Sequence, residues 1–148
     1  MRKQQLVILL AEDDPNDLAL FRHAIKDTKY SANLQVVRDG EQAIKYLDGE
    51  GDFANRAAYP FPDLLVLDLK MPRVNGLEVL KWLKNHPASV ALPAIMLSGS
   101  GLDPDVEEAY RLGVSTYLTK PTELGKLSEL LNVLLDYWSR SQRPHIKG

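Results

Sequence analysis

Four apolar runs of the chain each end in a polar side chain that can take part in chemistry. A buried parallel strand reads as an uninterrupted apolar run, and ligands of an open α/β sheet bind beyond the carboxyl ends of its strands. These polar residues should therefore share one edge of a sheet. They carry the groups of a divalent-cation and phosphoryl site, and they are Glu12 and Asp13 after the first run, Asp68 after the second, Ser98 after the third and Lys120 after the fourth.

The three acids Glu12, Asp13 and Asp68 would repel one another at a shared edge. At a separation of about 5 Å and an effective dielectric constant near 20, each pair of charges costs roughly 3 kcal/mol. Such a cluster either takes up protons or holds a cation. Calcium and magnesium both bind carboxylate oxygens, but a sparse ligand set favours Mg²⁺, which keeps several waters and needs only one or two carboxylates plus phosphate oxygens.

Lys120 and Ser98 would add a positive charge and a hydroxyl donor beside Asp68. Phosphoryl transfer is mostly positioning and charge neutralisation around the equatorial oxygens, so these two groups and a metal ion are sufficient for it. A carboxylate can act as the nucleophile and become an aspartyl phosphate. Asp68 is the acid whose neighbours suit that reaction.

The length and composition exclude several classes of protein. The chain has 148 residues, which suits a single domain with one sizeable core. Its formal net charge of -2 offers no basic footprint for a phosphate backbone, so we expect no direct binding of nucleic acid. It has no cysteine, which excludes disulfides and thiol chemistry. No apolar run approaches the roughly 20 residues of a membrane span, and we expect a cytoplasmic protein with no membrane partner.

Strand-like and helix-like periods alternate along the chain, a pattern typical of βαβ units and a mainly parallel sheet. The pattern predicts five strands and five helices. The right-handed crossover rule then gives the strand order 2-1-3-4-5 of doubly wound, flavodoxin-like α/β folds. In that order the chain reverses direction between strands one and three, where the acids would meet.

Two segments depart from the regular units. Residues 48–62 are rich in Gly, Ala and Pro and have no steady period, so we expect a surface insertion there. The last helix carries a leucine stripe and should end near Ser139, followed by a polar tail. We expect one domain over residues 1–148 and no output domain.

Four segments resemble the receiver domain of two-component response regulators, in order and at compatible spacings over nearly the whole chain. They are residues 8–14 (ILLAEDD), 67–76 (LDLKMPRVNG), 96–99 (MLSG) and 117–121 (YLTKP). The resemblance implies a signalling domain rather than an enzyme. Such a domain takes a phosphoryl group from a sensor histidine kinase in a Mg²⁺-dependent reaction.

The resemblance also implies the residues of the metal and phosphoryl site. Asp68 matches the phosphoacceptor. Asp13 matches a direct metal ligand, and Glu12 matches an acid that acts on the metal through water. Lys70 lies where the family offers a backbone carbonyl to the metal. The side chains of Lys70 and Ser100 lie where the family controls access of the hydrolytic water.

The remaining matches concern switching. Ser98 matches the switch hydroxyl, Lys120 the lysine that pairs with the phosphoryl group, and Tyr117 the aromatic residue that turns inward after phosphorylation. The bond between Lys120 and Pro121 matches a peptide bond that is usually cis in the family. The face formed by the fourth helix, the fifth strand and the fifth helix is then expected to change its affinity for a partner.

Four finer features of the sequence resemble those of the small response regulators that serve bacterial and cyanobacterial phytochromes. They are the insertion before strand three, the Leu-Gly-Val segment before Tyr117, the pair Tyr137-Trp138 and the lack of an output domain. A phytochrome is therefore one candidate for the sensor kinase. The distal end of the last helix is a candidate surface for a homodimer.

Two other interpretations stay open. An adaptor with the same fold could act without phosphorylation, although the full set of polar residues argues against it. An aspartyl-nucleophile phosphatase or mutase would typically place a second aspartate two residues after the nucleophile, to act as acid and base. Here that position is Lys70.

Overall fold

The computed structural model describes residues 5–87, 89, 91–99 and 101–142. Within this part of the chain, five parallel strands form one sheet in the order β2-β1-β3-β4-β5, which confirms the predicted order. The strands are β1 (Leu6–Ala11), β2 (Ala32–Val37), β3 (Leu64–Leu67), β4 (Ala94–Ser98) and β5 (Thr116–Thr119). The α-helices are α1 (Pro15–Lys26), α2 (Gly40–Asp48), α3 (Gly76–Lys84), α4 (Asp103–Arg111) and α5 (Leu124–Arg140).

The sheet is covered on both faces, because its central strands are apolar in both directions. All residues of β3 and β4 are buried. Ile8 and Val66 belong to a cluster with Phe21 of α1 and Leu131 of α5. The opposite faces of the same strands pack against α2, α3 and α4 in a second cluster that includes Leu80. Helices on both faces of a parallel sheet are the doubly wound arrangement.

The first helix begins where its sequence predicts. The Asp14 carboxylate accepts hydrogen bonds from the backbone N–H groups of Asn16 (2.8 Å) and Asp17 (3.3 Å), and Pro15 occupies the first helical position. At the other end of the chain, α5 extends to Arg140, one residue beyond the predicted end. Among the described residues, no helix combines the length and apolar character that a membrane span requires.

The segment between α2 and β3 is packed against α2. It contains a 3-10 helix (Gly51–Ala54). The Arg56 guanidinium donates to the carbonyl oxygens of Tyr46 (2.8 Å) and Leu47 (3.0 Å), which lie in the last turn of α2. The rings of Phe53 and Tyr59 lie 5.0 and 6.0 Å from the ring of Tyr46. Arg56 therefore adds donors to carbonyl groups in the last turn of α2, where helical backbone donors run out; the Tyr46 carbonyl also accepts from the Gly49 N–H at 3.2 Å.

Candidate functional site

The centre of the site is the ammonium group of Lys120. It donates to a carboxylate oxygen of Glu12 at 2.7 Å, of Asp17 at 3.1 Å and of Asp68 at 3.3 Å. The side chains of Lys120 and Asp68 are 13% and 14% exposed, and that of Glu12 is 4% exposed. Asp17 is the most open of the acids, at 39%. The structure thus brings Glu12, Asp68 and Lys120 together as the sequence indicates, and it adds Asp17.

Three strand ends position these groups. The N–H of Glu12 donates to the carbonyl of Val37 at 3.0 Å, and the N–H of Asp68 donates to the carbonyl of Ala11 at 3.2 Å. The N–H of Lys120 donates to the carbonyl of Ser98 at 2.9 Å. These bonds continue the ladder of the sheet by one residue beyond the assigned strands. The site residues are therefore fixed by the sheet itself.

The electrostatics of the cluster depend on burial and on the shared ammonium. Burial raises the pKa of Glu12, and the hydrogen bond and charge of Lys120 oppose that rise. Burial alone would lower the pKa of Lys120, but the hydrogen bond to Glu12 and the charges of Asp68 and Glu12 raise it above its usual value. Lys120 therefore stays protonated.

The arrangement of oxygens fits a divalent cation. One carboxylate oxygen from each of Glu12, Asp17 and Asp68 lies within 4.8 Å of the other two. Negative charge exceeds the single positive charge of Lys120 here, and hard dications take oxygen ligands of this kind. Asp17, Asp68 and Lys120 also border an open cleft of about 510 Å³, which holds space for a phosphoryl group. Its lining residues are Asp17, Asp68, Lys70, Ser98, Gly99, Gly101, Leu102, Lys120 and Thr122.

Ser98, which lines this cleft, is in direct contact with Tyr117. Ser98 is buried, and its side chain is hydrogen-bonded to the Tyr117 phenol. Burial raises the pKa of Tyr117 above its usual value, and the hydrogen bond to Ser98 partly opposes that rise. The Tyr110 hydroxyl of α4 accepts from the Tyr117 backbone N–H at 3.2 Å. Tyr117 thus contacts Ser98 through its phenol and α4 through its backbone N–H.

Two further predicted site residues lie at the periphery. Asp13 is half-buried, and its backbone carbonyl accepts from the Arg38 guanidinium at 2.9 Å. Lys70 is exposed and lines the cleft. Ser100 lies outside the described residues.

The prediction of a cis peptide bond between Lys120 and Pro121 is wrong, because the described peptide bonds are all trans. The trans isomer is the intrinsically preferred one even before proline, by about 0.5–1 kcal/mol. In this geometry Lys120 already reaches the three carboxylates.

Asp17 is the site residue that the sequence analysis missed. It is the third residue of α1, and the Asp14 cap and Pro15 fix the start of that helix. A signal was present, because the first turn of a helix that follows a strand end faces the same edge of the sheet as that strand end. Asp17 lies in that turn, five residues after Glu12.

Residues 8–132 match the response regulator receiver domain. The chain belongs to the response regulator receiver family. Response regulator Rcp1 of Synechocystis sp. is 34% identical to this receiver over 132 residues, which are 89% of this chain and 88% of Rcp1.

Solved structures agree with the receiver fold. The phosphorylated cyanobacterial phytochrome response regulator RcpA has a TM-score of 0.87 at 32% identity, covering 96% of this receiver and 100% of RcpA. The Mn²⁺-bound form of Rcp1 has a TM-score of 0.83 at 33% identity, covering 95% and 99%. RPA3017, from red light signalling in R. palustris, has a TM-score of 0.89 at 33% identity, with coverage of 95% and 99%. The receiver is similar to all three, and its acidic pocket fits a cation-binding phosphoacceptor site.

Proposed function

We propose that this receiver accepts a phosphoryl group on Asp68 from the phosphohistidine of a sensor histidine kinase. The observation that carries the proposal is the position of Lys120. Its ammonium lies 3.3 Å from an Asp68 oxygen at the floor of an open cleft, with the buried Glu12 carboxylate beside it. A carboxylate held next to a fixed cation and reachable from solvent suits an acceptor of phosphoryl groups.

In the transfer step, an Asp68 oxygen forms a bond to phosphorus as the bond between phosphorus and the histidine nitrogen breaks. The electron pair of the broken bond stays on the imidazole nitrogen. Lys120 pairs with one phosphoryl oxygen, and the Ser98 hydroxyl donates to another. The product is a mixed anhydride between Asp68 and phosphate.

The proposed metal is Mg²⁺, held by Glu12, Asp13 and Asp68 with the backbone carbonyl of Lys70. When bound, it would neutralise charge on the phosphoryl oxygens. The oxygens of Glu12 and Asp68 support this assignment, since they lie within 4.8 Å of each other. Glu12 is nearly buried, which suits a ligand that acts through a water molecule.

The proposed kinase partner is a phytochrome, by similarity to RcpA, a cyanobacterial phytochrome response regulator. The proposed output is a change at the face formed by α4, β5 and α5, where Tyr117 contacts both Ser98 and Tyr110. That face, or the distal end of α5 with the exposed Tyr137, is the proposed surface for a homodimer. No direct contact with nucleic acid and no enzymatic turnover of external substrates are part of this proposal.

The test is to incubate the protein with Mg²⁺ and a small phosphodonor and to measure intact mass. A stable gain of one phosphoryl group is expected, lost in Asp68→Asn, in chelator and after hydroxylamine treatment. Asp63→Asn is the matched control, since it removes a carboxylate from the other end of β3 and should label normally. No gain in the wild type would indicate the adaptor, and rapid turnover of organic phosphates would indicate the phosphatase. Either result contradicts the proposal.

A further inference from the structure

The Lys120 ammonium has no N–H to spare. An ammonium group offers three donors and no acceptor. Its three short contacts are to Glu12, Asp17 and Asp68. A phosphoryl group on Asp68 would bring new anionic oxygens to this point. For Lys120 to pair with one of them, it must weaken a bond that it already makes.

Of the two acids other than Asp68, Asp17 is the one that Lys120 can release more readily. Glu12 is buried at 4% exposure and forms the shortest contact, 2.7 Å, so its carboxylate depends on Lys120 for compensation. Asp17 is 39% exposed, and water can solvate its carboxylate when Lys120 moves away.

Asp17 is also held close to the reacting group. It lies in the first turn of α1, and its carboxylate oxygen lies within 4.8 Å of an Asp68 oxygen. It lines the same cleft as Asp68 and Lys120. A dianionic group on Asp68 would therefore meet the negative charge of Asp17 at short range.

We propose that Asp17 is a positioning residue for Lys120 that competes with the phosphoryl oxygens for its third N–H. This inference rests on the proposed phosphorylation of Asp68. Asp17 holds the ammonium in place before transfer and opposes the phosphorylated form by its charge. Removing that charge should therefore favour phosphorylation, which is the opposite of what damage to the fold would do.

The experiment compares Asp17→Asn, which removes the charge but keeps an acceptor, with Asp17→Glu, which keeps the charge. Asp103→Asn is the control, since Asp103 is an exposed acid in the first turn of α4. Two quantities are measured at saturating Mg²⁺, found by titration for each variant. They are the initial rate of labelling by a small phosphodonor and the equilibrium affinity for beryllofluoride, a phosphoryl mimic, by calorimetry.

Asp17→Asn should raise both quantities roughly threefold to tenfold, the range of a partly exposed charge interaction. Asp103→Asn should stay within about twofold of the wild type, the spread of a surface substitution. Asp17→Glu keeps the charge and should show no rise in either quantity; a rise as large as that of Asp17→Asn would contradict the inference. If the wild type labels normally and Asp17→Asn is unchanged or slower, the inference is overturned and the proposed function stands. If the wild type neither labels nor binds beryllofluoride, the proposed function fails and the inference fails with it.

Discussion

The Ser98 side chain is hydrogen-bonded to the phenol of Tyr117, which joins the end of β4 to the neighbouring strand β5. Ser98 lines the cleft beside Asp68, and the backbone N–H of Tyr117 donates to the Tyr110 hydroxyl of α4. A change at the phosphoryl site therefore has a short path to the outer face of α4.

Replacing Ser98 by Ala should leave labelling of Asp68 largely intact but uncouple it from binding of a partner or of a second copy. The reason is that the Tyr117 phenol loses its link to the site. The measurement is partner affinity or dimer fraction before and after phosphorylation. Ser128→Ala is the control, because Ser128 is another buried serine, which donates to the Ala24 carbonyl away from the site. A Ser98→Ala protein that responds normally to phosphorylation would contradict the switch.

Gly76→Ala should distort the phosphoacceptor. A Cβ atom at Gly76 would lie 2.5 Å from the Asp68 carbonyl oxygen and 3.0 Å from Met96 Cε. We expect a loss of about 1–3 kcal/mol in the free energy of unfolding, because the Asp68 backbone cannot give way as a side chain can. Labelling of Asp68 should also slow.

The control for this substitution is Gly125→Ala in α5, where a Cβ would meet no described atom within 4 Å. There alanine should stabilise the protein by roughly 0.5–1 kcal/mol, since it restricts the unfolded chain and favours the helix. Chemical denaturation measures both variants. Equal stability of the two would show that the close approach at Gly76 is not tight.

Much of this architecture follows from the sequence, for identifiable reasons. Apolar runs that end in Glu12, Asp68 and Lys120 predict buried parallel strands, and parallel strands place their carboxyl ends at one edge. Backbone hydrogen bonds at those strand ends then fix Glu12, Asp68 and Lys120 against the neighbouring strands. Asp17 was missed because its participation depends on the rotation of α1 about its axis, which the strand pattern does not determine.

The segment 48–62 shows a second limit. Its composition predicts an irregular surface insertion, whereas its order comes from Arg56 and from ring contacts with Tyr46. These are tertiary contacts between residues without helical or strand spacing, so periodicity carries no signal for them. The role of Asp13 as a metal ligand stays a prediction from family resemblance.

Arg56→Lys should lower the free energy of unfolding by about 1–3 kcal/mol, because an ammonium cannot reproduce the fork that contacts the Tyr46 and Leu47 carbonyls. Urea denaturation measures the difference. Arg111→Lys is the matched control, since Arg111 pairs with Glu108 on the surface and should change stability by less than about 0.5 kcal/mol. Equal midpoints for the two variants would argue that Arg56 does not anchor the segment.

Ionisation of Tyr46 should lower the free energy of unfolding of the protein in alkali. Burial raises the pKa of Tyr46 to about 12, against the opposing charge of Arg56, from an ordinary value of 10.0. Between these values the folded protein keeps a proton that the unfolded chain has lost. The contribution of the neutral Tyr46 phenol to the free energy of unfolding is therefore complete below pH 10 and is lost as the pH rises through about 12.

The measurement is the free energy of unfolding as a function of pH for the wild type and for Tyr46→Phe. The variant should be less stable at neutral pH, because the bond from the Tyr46 hydroxyl to the Pro60 carbonyl (2.7 Å) is lost. Its decline above pH 10 should be shallower than that of the wild type. Parallel curves would show that Tyr46 titrates normally.

The proposed function requires that Asp68, and not a neighbouring acid, carries the phosphoryl group. The direct measurement is to phosphorylate the protein with Mg²⁺ present, reduce the acyl phosphate with borohydride and map the peptides by mass. Reduction converts a phosphorylated aspartate to homoserine. We expect homoserine at position 68 alone, and none when Mg²⁺ is chelated. Homoserine at Asp13 or Asp17, or labelling that does not depend on the cation, would contradict it.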